Sequence, residues 1–422
     1  MNLLSIGGSD PSSGSGIQGD IRAFSSLGAH CLSAVTAVTA QNTSMFGGVE
    51  PVSPGILGEQ IKCIMADFDL AGIKIGMVYN QDIIKVIHRT IRKTGIPIVV
   101  DPVVRSTTGG VLLERQALKS YKKLLVPLAT AITPNQEEAG ILAGVRSHAK
   151  AARIIRDMGA KNVIVTGIKK GGKISDYILE KDAHRTISDT LIRGTNRGSG
   201  GVHSAAVLFC LASGHGMCDA ARFAKQAAHE SIKNAIKHGR GLPITDTAPA
   251  TRRLLGAIHR IMDARGISGL IPECQTNFVH SGPNPKNTGD VLGVAGRIVR
   301  VGNHTVMAGQ VRYGGSKHVA SALIAASKKF PQLRAAANIR YSESVVSAAK
   351  AAGMRVSVYD RSREPESAPS TISWGIKSAV SGIKRPPDII YHTGGWGKEP
   401  MIMVFGITPD AVAEKITRLI DT

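Results

Sequence analysis

At roughly 150 residues per domain, a chain of 422 residues predicts two or three domains, and its 43% apolar and 20% charged content excludes disorder and fibrous repeats. Aromatic residues make up only 4%, which leaves little material for stacking platforms that bind single-stranded nucleic acid. Charge is the outlier: 52 Lys and Arg against 31 Asp and Glu give +21, a field that draws polyanions or small phosphorylated metabolites, yet no zinc-finger, recognition-helix or RNP pattern accompanies it, so no nucleic-acid partner is expected.

The chain begins Met1-Asn-Leu-Leu-Ser-Ile without a basic leader, and no apolar run approaches 18 residues. A cytoplasmic protein with no membrane partner is therefore expected. Residues 3–6 read as a strand and 16–27 as a helix. Strands over 73–76 and 97–100 enclose a helix over 83–93, and strands over 131–133 and 162–166 enclose one over 149–158. A helix of small residues spans 202–212. This alternation predicts right-handed βαβ units and a mostly parallel sheet covered on both faces. The stretch 239–250, rich in Gly and Pro, is the expected linker. Beyond it, 251–263 reads as a helix, 297–301 and 306–310 as strands, and 319–328 and 344–352 as helices. Strands over 355–359 and 401–405 follow, and a helix over 409–420 closes the chain. The expected domains are 1–245 and 246–422. The cysteines (Cys31, Cys63, Cys210, Cys218, Cys274) are odd in number with no CxxC pair, which argues against a disulfide framework and a cysteine zinc site.

Four small-residue segments of the first half fall where a doubly wound sheet offers strand ends to a ligand. Gly7-Gly-Ser-Asp-Pro-Ser-Ser-Gly-Ser-Gly-Ile-Gln-Gly-Asp20 leaves the first strand, Thr39-Ala-Gln-Asn-Thr43 and Asp101-Pro102 follow, and Thr195-Asn-Arg-Gly-Ser-Gly-Gly-Val-His-Ser204 enters a helix. One glycine-rich loop by itself is equally a plain turn. The last segment offers successive backbone N–H groups at a helix start, an anion cradle suited to phosphate.

The segments Gly8-Ser-Asp10, Ala40-Gln-Asn-Thr43, Lys74-Ile-Gly-Met77, Asp101-Pro-Val103 and Ile132-Thr-Pro-Asn135, the last followed by Glu137-Glu-Ala139, stand in order over about the first 240 residues. They resemble the hydroxymethylpyrimidine/phosphomethylpyrimidine kinases of the ribokinase superfamily. The resemblance implies a three-layer α/β/α domain that phosphorylates hydroxymethylpyrimidine and its phosphate with ATP and Mg²⁺. It gives Asp20 and Gln41 to the aminopyrimidine edge and Met77 to the ring. It gives Asn135, Glu138 and Ser199 to the nucleotide, Asp101 and Glu138 to the metal, and the backbone of Gly198, Gly200 and Gly201 to the catalytic anion hole. The family keeps a cysteine as catalytic base where this chain has Gly201, and the lid segment, normally with a lysine and an acidic residue, reads Thr107-Thr-Gly-Gly110. A lost general base costs about 10²–10⁴ in rate, so a slowed kinase and a pyrimidine-binding but inert domain both stay open.

In the second half, Gly296-Arg-Ile-Val-Arg-Val-Gly302 places arginines on an expected strand, with Arg297 and Val299 on one side and Ile298 and Arg300 on the other. Gly309-Gln-Val-Arg-Tyr-Gly-Gly-Ser-Lys-His-Val319 sets Arg312, Lys317 and His318 beside glycines at a helix start, a pattern for phosphate or pyrophosphate. His280, His304, His318 and His392 lack metal-ligand spacing, and Trp374 and Trp396 read as core or pocket walls. Together with Asn338-Ile-Arg-Tyr-Ser342, Ser373-Trp-Gly375 and Gly397-Lys-Glu-Pro-Met401, these segments resemble the archaeal-type thiamine-phosphate synthase domain across nearly all of the last 150 residues. The resemblance implies a second α/β/α domain with a mixed sheet. Its reaction would couple hydroxymethylpyrimidine diphosphate to thiazole phosphate. The expected site centres on Arg297 and His318, with Arg312, Ser316, Lys317, Arg340 and Lys398 as phosphate contacts. A bifunctional enzyme acting on small molecules, as a homo-oligomer, is the expectation. A monofunctional synthase with an inert first half and a thiamine-phosphate-sensing regulator are the alternatives.

Overall fold

The computed structural model describes residues 1–365, 371–395 and 398–420. The chain folds as two compact units, Met1–Pro249 and Ala250–Thr422. Trp396 and Gly397 lie outside the described residues.

The first unit is built on a nine-stranded sheet. Its strands are β1 (Asn2–Ser9), β2 (His30–Gln41), β3 (Phe46–Pro51), β4 (Leu70–Ile75), β5 (Ile98–Val100), β6 (Ala131–Ile132), β7 (Asn162–Lys170), β8 (Lys173–Glu180) and β9 (Ala183–Thr190). Their spatial order is β3-β2-β1-β4-β5-β6-β7-β8-β9. From β2 to β7 all pairings are parallel, and the edges β3, β8 and β9 are antiparallel. Alternation along the strands decides which residue serves which layer. Leu4, Ile6, Val100 and Ile132 join one buried cluster with Ile84, Ile87 and Ile155 of the helices on one face. Leu3, Val99, Ala131 and Ile164 join another with Phe24, Ala205 and Ala221 on the opposite face. Such double coverage is why these strands read as apolar runs.

The glycine- and proline-rich stretch expected as a linker is largely packed. Leu242 N donates to Thr43 O at 2.8 Å, Arg197 N to Pro243 O at 2.9 Å and Thr245 N to Arg197 O at 3.1 Å, so the segment flanks the loop that enters the helix Ser199–Ala212.

The second unit has a seven-stranded sheet and a separate hairpin. Its strands are β10 (Phe278–Ser281), β11 (Val291–Val294), β12 (Ile298–Val301), β13 (His304–Met307), β14 (Val311–Tyr313), β15 (Ala335–Arg340), β16 (Val356–Val358), β17 (Ile389–His392) and β18 (Met401–Gly406). The order is β14-β11-β10-β15-β18-β17-β16, antiparallel except for β16 with β17, while β12 and β13 pair with each other. Leu254, Ile258, Val345 and Ile416 cover one face of the sheet, and Val319, Leu323, Ile376 and Val380 cover the other. The sheet is mixed and three-layered, as expected. Two local expectations change. Arg297 precedes β12 in a left-handed turn, φ +73°, so strand alternation does not aim its side chain. The strand expected over 306–310 ends at Met307, which pairs with Ile298, the first residue of its partner β12.

Candidate active sites

In the first unit the sheet's strand ends and the start of the helix Ser199–Ala212 enclose a cavity of about 350 Å³. It is lined by Asp20, Gln41, Met77, Asp101, Asn135, Glu138 and the backbone of Gly198–Gly201, which gathers every residue the sequence proposed for the kinase half. Asp10 ties down the glycine loop. Its carboxylate accepts from the backbone N–H and hydroxyl of both Ser12 and Ser15, at 2.7–2.9 Å. Gly198 caps the helix at φ +95°, where an added Cβ would run into the Gly14 carbonyl, so glycine is required on both counts. Ser199, Gly200 and Gly201 open the helix, and the first N–H groups of a helix have no intrahelical acceptor. The Asn135 and Glu138 motif is also a capping box: Asn135 Oδ1 accepts from Glu138 N and Glu138 Oε2 from Asn135 N, both at 2.9 Å.

Two cations that the sequence reading did not single out organise this cavity. Lys74 is 3% exposed and sits between two carboxylates, bonded to Asp20 and 3.8 Å from Asp101. Burial would lower its pKa, but Asp20 and Asp101 outweigh that and raise it, so the ammonium persists. Arg197 is 2% exposed; its Nη2 donates to Asp10 at 2.8 Å and to Gln41 Oε1 at 2.7 Å. Asp20 also accepts from Ser5 Oγ at 2.7 Å, so both side chains given to the pyrimidine edge are held by protein partners. The signals available for Lys74 were a charge inside an otherwise apolar strand and its place at the head of the segment Lys74-Ile-Gly-Met77. Position 201 has no side chain, and the groups nearest to an added Cβ there are Asp20 Oδ1 at 3.3 Å and Lys74 Nζ at 3.7 Å. Burial raises the pKa of Asp101 despite the pull of Lys74 and Ser204. Burial and then the Asp101 charge push Glu138 up to about 8.

The second unit holds a larger cavity, about 780 Å³. Arg297, Ser316, Lys317, His318 and Lys398 all line it, joined by Arg361, Tyr359 and His392, which the sequence reading had not placed there. Ser316 and Lys317 lead into the helix His318–Ser327, and Arg297 donates to the Cys274 carbonyl. Asn277 and Asn338 are committed to the frame. Asn277 bonds both backbone groups of Val294, and Asn338 accepts from Asn277 N while donating to Gln275 O. Arg361 and Lys398 share Glu364, at 3.6 and 3.8 Å. Arg312 and Arg340 do not line the cavity. Arg312 is exposed on β14 at the sheet's edge, and Arg340 is exposed at the last position of β15. Trp374 is half-buried and meets Tyr359 edge-on.

The comparisons with known proteins divide the chain at the same place. A family model for phosphomethylpyrimidine kinase matches residues 10–246, and one for thiamine-phosphate synthase ThiN matches residues 253–418. The bifunctional thiamine biosynthesis protein ThiDN of Methanocaldococcus jannaschii is 30% identical over 426 residues, covering 99% of this chain and 97% of that protein. The thiamine-phosphate synthase ThiN of Methanothermobacter thermautotrophicus is 39% identical over 168 residues, 39% of this chain and 88% of its own length. Among solved structures, a pyridoxal kinase from Staphylococcus aureus in complex with ADP is similar at TM-score 0.55 and 29% identity, over 60% of this chain and 94% of that one. The same kinase in complex with pyridoxal gives the same values. No helix among the described residues is long and apolar enough to cross a membrane. On the two family models and a relative matched over nearly its whole length, the chain belongs to the bifunctional family in which a phosphomethylpyrimidine kinase unit is followed by a thiamine-phosphate synthase unit of the ThiN type.

Proposed function

We propose that this chain carries out successive steps of thiamine assembly. The first unit transfers phosphoryl groups from ATP to hydroxymethylpyrimidine and then to its monophosphate. The second joins the resulting diphosphate to thiazole phosphate, giving thiamine monophosphate and pyrophosphate. The observation that carries this reading is the second cavity, where Arg297, Lys317, His318 and Lys398 converge beside Ser316. The charges of Arg297, Lys317 and Lys398 and a hydrogen bond from the His318 imidazole suit a departing pyrophosphate. We assign both reactions to the cytoplasm, where ATP and phosphorylated intermediates are supplied.

In the kinase step the hydroxymethyl oxygen attacks the terminal phosphorus of ATP, the bond to the ADP oxygen breaks, and the hydroxyl proton leaves. Phosphoryl transfer is mainly positioning and charge neutralisation. The N–H groups of Ser199, Gly200 and Gly201, with the Lys74 ammonium, face the negative charge that builds on the transferred group. Asp20 is the carboxylate nearest to the side chain missing at position 201, and it is the group we assign to receive the proton. Among the described residues no cluster of three His, Cys, Asp or Glu side chains could hold a metal alone. Mg²⁺ needs only one or two carboxylates when nucleotide phosphates and water complete its shell. The raised pKa values of Asp101 and Glu138, two buried acids in one cavity, fit such a cation. These two residues would hold it, and it supplies further charge neutralisation at the phosphates.

In the synthase step the methylene C–O bond breaks with its electron pair leaving on pyrophosphate, and the thiazole nitrogen lone pair forms the new C–N bond. Arg297 and Lys317 neutralise the leaving group, His318 donates a hydrogen bond to it, and the apolar side chains of Ile376 and Met403 in the lining keep water out until attack. The missing side chain at Gly201 favours a second reading, in which the first unit binds pyrimidine without phosphorylating it. The full chain, given Mg·ATP, hydroxymethylpyrimidine and thiazole phosphate, should release ADP and form thiamine monophosphate. Thiamine monophosphate formed only from supplied pyrimidine diphosphate, with no ADP, would establish the second reading. None from either mixture would reject the assignment.

A further inference from the structure

The second cavity contains a histidine that the reaction as described leaves unused. His392 ends β17, is 7% exposed and lines the cavity. Its Nδ1 accepts a hydrogen bond from the backbone N–H of Gly394 at 3.1 Å. A backbone N–H can only donate, so Nδ1 carries the lone pair and the ring proton sits on Nε2. Protonating Nδ1 would oppose two N–H groups and break that bond. Among the described residues Nε2 has no protein partner, and on the cavity wall it can donate to a bound molecule.

The ring is built into place. Tyr359 lies against it with centroids 5.1 Å apart, and Trp374 meets Tyr359 edge-on at 6.3 Å. Gly375 makes this possible, because a Cβ there would strike the Tyr359 ring. The Trp374-Gly375 pair of the sequence motif thus acts on the cavity through Tyr359. Tyr359, Ile376 and Met403 belong to one buried cluster, so this wall is apolar, unlike the helix start that carries Lys317 and His318.

We propose that His392 is a substrate-binding residue of the synthase site that donates its Nε2 hydrogen to a ring nitrogen of the aminopyrimidine. This rests on the synthase reading above and adds which wall receives the heterocycle. The chemistry favours a neutral donor. As pyrophosphate departs, positive charge builds on the pyrimidine, and an imidazolium beside it would oppose the reaction. Burial, and then the nearby Arg361 charge, lower the pKa of His392 to about 4, which keeps the ring neutral at working pH. Arg297, Lys317 and Lys398 also line the cavity and oppose a further positive charge there; Glu399 is the one carboxylate among the lining residues described, while burial raises the Cys274 thiol to about 11 and the Tyr359 phenol to about 12 and keeps both neutral. The thiazole nitrogen is excluded as the acceptor because its lone pair must be free to attack.

The test uses the full chain with pyrimidine diphosphate supplied directly, so that the kinase unit plays no part. His392→Phe should raise KM for pyrimidine diphosphate roughly tenfold or more, the scale of one lost buried hydrogen bond, while KM for thiazole phosphate and inhibition by pyrophosphate stay within about twofold. His392→Gln, which keeps a donor, should recover most of the loss. A pyrimidine analogue with C–H replacing the ring nitrogen should penalise the unaltered chain by a similar factor and His392→Phe by little more. This last comparison works on the unaltered chain even if a variant fails to fold. An unchanged pyrimidine KM in His392→Phe, a rise confined to thiazole phosphate or pyrophosphate, or full activity of the unaltered chain on the analogue would overturn the inference. No thiamine monophosphate from the unaltered chain would remove the synthase reading itself, and this inference with it.

Discussion

The two cavities handle charge in opposite ways. In the first unit the charged side chains are each other's counterions. Lys74 lies between Asp20 and Asp101, and Arg197 joins Asp10 to Gln41, all of them buried or half-buried. In the second unit Lys317 and His318 are exposed, and Arg361 and Lys398 share one acid, Glu364. A site whose charges are paired internally is stable before substrate arrives and must exchange partners to bind it. A site with surplus cations is completed by the anion it binds. The same type of substitution should therefore damage folding and activity in the first unit but activity alone in the second.

The largest effect is expected at Lys74. Lys74→Met leaves two buried carboxylates without their cation, so it should destabilise the first unit by about 3–5 kcal/mol and lower ADP formation by on the order of 10² or more. Thermal unfolding and a coupled ADP assay measure the two effects, and a variant with unchanged melting would break the contrast between the units. Arg297→Ala and His318→Ala should each lower thiamine monophosphate formation by roughly 10² or more with almost no change in melting temperature. Near-normal turnover in both would remove the assigned leaving-group site. Gly198→Ala forces a side chain into a left-handed position against Gly14 O, which should cost about 1–3 kcal/mol and slow the kinase step without touching the synthase step. Equal losses in both assays would contradict this.

The smallest expected effect sharpens the comparison through pH. Asp388 is buried and accepts from Arg355 Nε at 2.9 Å and Nη2 at 3.1 Å, with Lys415 Nζ at 2.6 Å. Burial pushes its pKa up, but the hydrogen bonds from Arg355 and Lys415 outweigh that and hold it well below the usual carboxylate range. A carboxyl group held low stabilises the fold fully above its unfolded pKa, about 3.9, and loses that contribution as pH falls toward the folded value. Asp388→Asn should therefore cost roughly 1–3 kcal/mol near neutral pH, and its difference from the unaltered chain should shrink below about pH 4. Denaturant unfolding at neutral and acidic pH gives both numbers, and a pH-independent difference would assign the loss to packing.

Local pattern carried much of this protein. Buried parallel strands announced themselves as apolar runs, and the small-residue segment 195–204 marked a helix start that is also a cavity wall. The sheet edges were harder to read. β8 and β9 make an antiparallel extension with polar, exposed positions along β9, which reads as loop without its partner. Arg297 shows the same limit at one residue: a strand pattern spans it, but the turn preceding β12 sets its direction.

What the amino-acid order determined alone was the α/β alternation of the first half, the glycine-lined helix starts and the clustering of Lys317 and His318 beside glycines, while the roles of Asp20, Glu138, Arg297 and His318 and the layers of the second half came from the family resemblance. Periodicity, capping and close backbone approach are local properties, and they survive in a one-dimensional reading. Only the tertiary structure decided that Lys74 stands between Asp20 and Asp101, that Arg197 grips Gln41, that Arg312 and Arg340 stay in solvent, and that His392 enters the cavity of His318. These pairings join residues far apart along the chain. Strand order and burial bring them together, and no short-range pattern encodes either.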